Sequence, residues 1–254
     1  MIHINMITIL RRTFYFLVPF SVVFWFIHEK FESVISRSTQ NGLAGFYSAD
    51  GLIFGLIVAF VIQRQWEIWT NLSESVRREI DAVREMWKWS NYAETSLREE
   101  AHKHLEKYLI LIVLEWHKGG ETRRSDRVDA ELDSLRGMLV KMVASMGHLS
   151  HQPLNAFENL ISARNQRLNF SKEHMPIILK RIVFFADMLL ILLSLFIAVN
   201  NISLDYLFTA SIGLLAFTLL LVVDDLDNPF RPGTWHLTTE GYEKLLEELT
   251  TNSH

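Results

Sequence analysis

Three aspartates, Asp224, Asp225 and Asp227, gather with Asn228 directly before Pro229-Phe230 at the end of an apolar run. Oxygen-rich Asp/Asn clusters suit Ca²⁺, although this spacing is not that of an EF-hand loop. A salt-bridge network with Arg64, Lys180, Arg181 or Arg231 is the favoured role, because a helix C-terminus already carries negative dipole charge. A fourth acid, Asp187, stands inside another apolar run, about two turns beyond Lys180-Arg181. At membrane depth an unpaired acid costs about 2.5–3.5 kcal/mol, which marks it as a functional candidate. A late start of that span would make it interfacial instead. The third group is a stripe: Ile53, Ile57, Phe60 and Val61 lead down to Arg64. On a helix facing a symmetry axis, Ile57, Phe60 and Arg64 would stack as apolar rings above a ring of cations. Apolar constrictions gate by dewetting, and Arg rings favour anions. Packing or lipid contact is the plainer role, and spacing alone favours it.

Enzyme chemistry finds little to stand on. No nucleophile elbow, phosphate-cradling glycine loop or H-E-x-x-H occurs. His148 and His151 share a loop, and His102 and His104 flank Lys103. Two histidines without further ligands are expected at a surface rather than on a metal. Gly119-Gly120 with Arg123-Arg124 has the makings of a phosphate contact, but a polar turn accounts for it. The absence of Cys excludes disulfides, thiol nucleophiles and cysteine-ligated metals. A net charge of −4 without a dominant basic patch gives no case for nucleic acid.

The elements that must position these residues follow from the distribution of charge along the 254 residues. Residues 64–181 hold 19 of the 25 Lys+Arg and 17 of the 29 Asp+Glu, while the flanks hold long apolar runs. Thr13–Ile27, Leu43–Ile62, Ile182–Val199 and Tyr206–Val223 are read as four spans of a hydrocarbon core about 30 Å thick. A cleaved signal peptide competes for the first run, but no A-x-A-like site follows it. Basic residues flank the insert and precede the first run, whereas the loop 200–205 has none. The positive-inside rule therefore places both termini and the insert in the cytoplasm, with the chain multi-pass in the cell's inner (plasma) membrane. In the insert, Trp69, Leu72, Val76, Ile80, Val83 and Trp87 recur at helical spacing. The absence of Pro and Gly from Arg64 to Lys118 lets the second span continue as one rod. Further helices are expected over Leu97–Trp116, Asp126–Met146 and Leu154–Lys172, with 147–153 a loop. The expectation is an all-α integral membrane protein with transmembrane helices 1 and 2 in 1–63, a cytoplasmic helical domain in 64–175, transmembrane helices 3 and 4 in 176–225, and a C-terminal tail in 226–254. Gly51-x-x-x-Gly55 in the second span suggests close helix association.

Ordered landmarks carry a resemblance. Gly51, Gly55 and Phe60 are followed by Glu79 and Ala82, then Tyr108 and Glu115-Trp116. Arg164 and Arg167 come next, before Pro176, and Leu226-Asp227-x-Pro229-Phe230 and Gly233 close the series. The chain resembles the bestrophin-like membrane proteins, a large group distantly related to bestrophin chloride channels. That resemblance implies a homo-oligomer, a tetramer or pentamer in the lipid bilayer, passing inorganic anions without catalysis. It makes Ile57, Phe60 and Val61 neck candidates and Asp224, Asp225 and Asp227 candidates for a calcium clasp. No cofactor is required, and Ca²⁺ is the one considered. A cation channel of the same build, using Asp50, Asp205 and the Asp cluster, is the nearest rival. A membrane-anchored scaffold that presents Trp66, Trp69, Trp87, Trp89 and Trp116 to a partner is another.

Overall fold

A computed structural model describes residues 6–31, 37–117, 123–146, 151–197 and 201–251. Among them lie eight helices: α1 (Met6–Phe31), α2 (Arg37–Ser90), α3 (Thr95–His117), α4 (Asp126–Met146), α5 (His151–Phe170), α6 (Ile177–Ser194), α7 (Ile202–Asp227) and α8 (Glu240–Thr251). Gly119-Gly120 and His148, weighed above, lie outside the described residues. The chain forms two compact units, Met1–Trp66 with Met175–His236, and Glu67–His174 with Leu237–His254.

The first unit contains α1, the start of α2, α6 and α7. Its core joins Phe54, Val58 and Val61 of α2 to Val183, Leu190 and Ile191 of α6 and to Ala216 and Val223 of α7. Helix α7 begins where the Asn201 side chain accepts the N–H groups of Ser203 and Leu204, at 3.0 and 3.3 Å. Helix α1 packs on α7 through aromatic rings: Phe16 stacks on Phe217 with centroids 4.6 Å apart, and Ser21 Oγ lies 2.7 Å from Tyr206 Oη. Gly213 makes room for this, since a Cβ there would stand 3.2 Å from both Phe16 and Phe20. Gly51 meets Leu190 of α6 at ordinary contact distance, whereas Gly55 has nothing within 4 Å of its missing Cβ. Only half of the glycine pair is used inside the protomer. The described segments Gly42–Ser90 and Ile202–Asp227 are long and apolar enough to cross a membrane.

The second unit buries one contiguous core. Val83, Met86 and Trp87 of α2 meet Leu105, Tyr108 and Leu109 of α3, Leu135, Met138 and Leu139 of α4, and Phe157 and Leu160 of α5. Two features differ from the sequence expectation. Helix α5 already starts at His151, because Pro153 in a first helical turn loses no hydrogen bond that the helix would otherwise make. Residues expected as a plain tail form α8, whose Tyr242, Leu245 and Leu249 are almost wholly buried. Their spacing of three and four residues is that of a helix with one apolar face.

Gly213→Leu should overpack the α1–α7 contact and destabilise the folded protein by about 1–3 kcal/mol. Thermal unfolding in detergent reads this, and an unchanged midpoint would show that α1 does not depend on that approach.

Candidate functional site

Helix α2 has two faces. Phe54, Val58, Val61, Gln65, Ile68 and Leu72 are buried in sequence, at spacings of three and four. The opposite face presents Leu52 (68% exposed), Leu56 (55%) and Phe60 (74%), followed by exposed Gln63 and Glu67. Of the predicted stripe, Ile53 and Phe60 are exposed, Ile57 is half-buried against the core, and Arg64 is exposed. Val61 does not belong to it. At 5% exposure it packs inward, since one residue beyond Phe60 the helix has turned about 100° toward its own bundle.

The acidic helix end is divided among separate tasks. Asp224 Oδ1 accepts from Lys180 Nζ at 2.8 Å. Asp227 Oδ1 accepts the Met175 N–H at 2.6 Å, ahead of α6, and its Oδ2 lies 3.4 Å from the same ammonium. Asp225 Oδ2 accepts the Thr234 N–H at 2.9 Å, so a Cβ at Gly233 would fall 2.6 Å from that carboxylate. Among the described residues no group of three or more His, Asp or Glu is placed to hold a metal. Each of the three carboxylates is engaged by a donor of the chain itself.

Asp187 is completely buried on α6, beside Val183, Leu190 and Ile191, and neither carboxylate oxygen has a hydrogen-bond partner. Its desolvation is uncompensated within the protomer, which keeps it a functional candidate. Asp205 is buried in the first turn of α7.

Sequence reasoning gave no role to a buried ion pair in the second unit. Glu79 of α2 (0% exposed) accepts from Arg167 Nε of α5 at 2.6 Å and from Tyr108 Oη of α3 at 2.6 Å. Burial and then the Glu79 charge push the Tyr108 and Tyr242 hydroxyls well above their ordinary pKa. Burial would depress the Arg167 guanidinium, but Glu79 outweighs it and raises the pKa above the usual arginine value. The guanidinium carbon also stands 5.6 Å from the Trp116 ring centroid. Arg164, one turn earlier on α5, donates to Asp129 of α4 at 2.6 Å. Glu79, Tyr108, Trp116, Arg164 and Arg167 are landmarks named above for their order along the chain, and that order was the only sequence signal for the cluster. The neighbouring histidines are not surface groups. His102 stacks on Trp87 with centroids 3.4 Å apart, and His104 Nδ1 lies 2.5 Å from buried Glu131.

Residues 14–234 match the bestrophin-like domain family. The chain belongs to the bestrophin-like family. Its fold is shared with crystal structures of point mutants of a bacterial bestrophin homologue from Klebsiella pneumoniae. One aligns with a TM-score of 0.76 at 12% identity, covering 97% of this chain and 99% of that one. Another gives 0.70 at 12% identity, covering 95% and 99%. A crystal structure described only as a mutant membrane protein gives 0.71 at 12% identity, covering 95% and 97%. No curated protein matches the sequence. Family membership, with the two long apolar helices, assigns this bestrophin-like chain to a membrane.

Arg167→Met should strand the Glu79 charge and destabilise the fold by about 3–5 kcal/mol, whereas Glu79→Leu with Arg167→Met should recover much of that loss. Denaturant unfolding checks it, and a double variant no better than the single would show that the pair is not the term lost. Burial, and then the Arg98 charge, lowers the His102 pKa to about 4 against 6.5 when unfolded. The unfolded chain therefore takes up the proton first, so stability should fall as pH drops from about 6.5 toward 4. His102→Phe should flatten that slope in unfolding series across this range.

Proposed function

We propose that this bestrophin-like protein is an ion channel. Four spans, α1, the start of α2, α6 and α7, cross the inner (plasma) membrane of the cell, with both termini and the second unit cytoplasmic. A homo-oligomer of four or five copies surrounds a pore on the symmetry axis. The observation that carries this reading is the uncovered face of α2. Leu52, Leu56 and Phe60 stand 55–74% exposed, opposite a face fully occupied by the protomer's own core. A pore on the axis between copies would use that outer face. Phe60 is then the apolar neck that gates by dewetting, and no catalysis is involved.

Arg64, one turn below Phe60 and in the same unit, would favour small inorganic anions, and that is the leading reading. The scaffold reading loses support, because Trp87 is 6% exposed in the helical core and Trp116 is packed against it.

Phe60→Ala should raise conductance in planar bilayers, and unchanged single-channel behaviour would remove Phe60 from the neck. Reversal potentials in asymmetric KCl should indicate anion preference that Arg64→Gln weakens. Cation preference would overturn the anion reading.

A further inference from the structure

We propose that the second unit contains a separate binding site for a small monovalent anion such as chloride, in the cleft between α3, α4 and α5. The cleft is lined by Trp116 and Glu115 of α3, Arg123 and Ser125 ahead of α4, and Arg164 and Arg167 of α5. Arg164 is 3% exposed. Its Nη1 is held by Asp129, but its Nε is buried without a hydrogen-bond partner. A buried donor on a charged group that is left unmade costs more than its neutral counterpart, so something in the cleft should accept it.

Three further features give that acceptor a negative charge. Ser125 immediately precedes the 21-residue helix α4, and its carbonyl accepts the Asp129 N–H. The N–H groups of residues 126–128 therefore find no acceptor within the helix, and the positive end of the α4 dipole adjoins the cleft. Next, Arg164 and Arg167, each 3% exposed, and Arg123 all line the cleft, while Asp129 is shared by Arg164 and Arg124. Finally, the free space is close to that of one water molecule, which excludes a phosphate or a nucleotide.

This inference does not rest on the channel reading, and its test does not use conduction. The full chain in detergent is unfolded thermally at fixed ionic strength while chloride replaces gluconate. The expected result is a saturable rise of a few degrees, as binding to the folded state alone requires. Bromide should quench part of the tryptophan emission saturably, and Trp116→Phe should remove that part. Arg123→Gln, at an exposed position, should weaken both responses at least tenfold. Arg164→Lys, which keeps the charge but loses Nε, should weaken them further. No difference between chloride and gluconate would overturn the proposal. A response identical in Arg123→Gln and the native chain would overturn it too, since an anion bound only in a pore would behave that way.

Discussion

The second unit depends on a charge with nowhere else to go. Glu79 sits at 0% exposure toward the C-terminal end of α2, where an unpaired carboxylate would cost several kcal/mol. Its only tolerable arrangement brings Arg167 of α5 and Tyr108 of α3 to it together. Apolar burial alone would leave the helices free to slide by a turn, because Leu, Met and Val fill one another's places at small cost. A buried ion pair with two fixed hydrogen-bond directions removes that freedom. Trp116 against Arg167, and Tyr242 of α8 tilted at 6.0 Å from Trp116, extend the same registration. The pair contributes less to net stability than to selecting one packing among several, which is a use that buried charges serve in helical assemblies.

Helix α2 illustrates a second constraint. Its buried positions continue from Phe54 through Val58, Val61, Gln65, Ile68, Leu72, Val76, Glu79 and Val83 to Met86. The spacing averages about 3.5 residues, so one face stays inward over many turns, and the opposite face is left for other partners. Along that outer face the chemistry changes from Leu and Phe to Gln and Glu within two turns. A helix packed only for stability needs no such change. One whose outer face passes from hydrocarbon or a dry constriction into water does.

The helices and their order were legible in the sequence because hydrophobic period and charge segregation are local signals. Helices α3 and α4 fall within two residues of the expected bounds. The start of α5 and the whole of α8 were not legible. Pro153 reads as a loop residue unless its place in a first turn is known, and the apolar stripe of α8 is only three turns long. Side-chain partners were harder still. Phe60 and Val61 are adjacent and both apolar, and only the direction of the core separates an outward from an inward position. Glu79 and Arg167 are 88 residues apart, and nothing along the chain pairs them before the helices are folded.

The acidic segment after α7 shows why a motif with the composition of a metal site need not be one. Each acid satisfies a backbone or side-chain donor that the chain reversal creates. Helix α6 starts after Pro176, with no side-chain cap of its own, and the N–H of Met175 just before it is met by Asp227. Asn228 ends α7, and its amide donates to the Asp224 carbonyl at 2.8 Å, which offsets the negative pole of the helix. Pro229 follows because the helix has to stop there. Gly233 follows because the Asp225 carboxylate, bonded to Thr234, already fills the space a side chain would take. Read in this way, Leu226-Asp227-x-Pro229-Phe230 and Gly233 are instructions for turning the chain and anchoring α6 to α7. A cation drawn to these oxygens would have to compete with Lys180 for Asp224 and Asp227 and with the Thr234 N–H for Asp225.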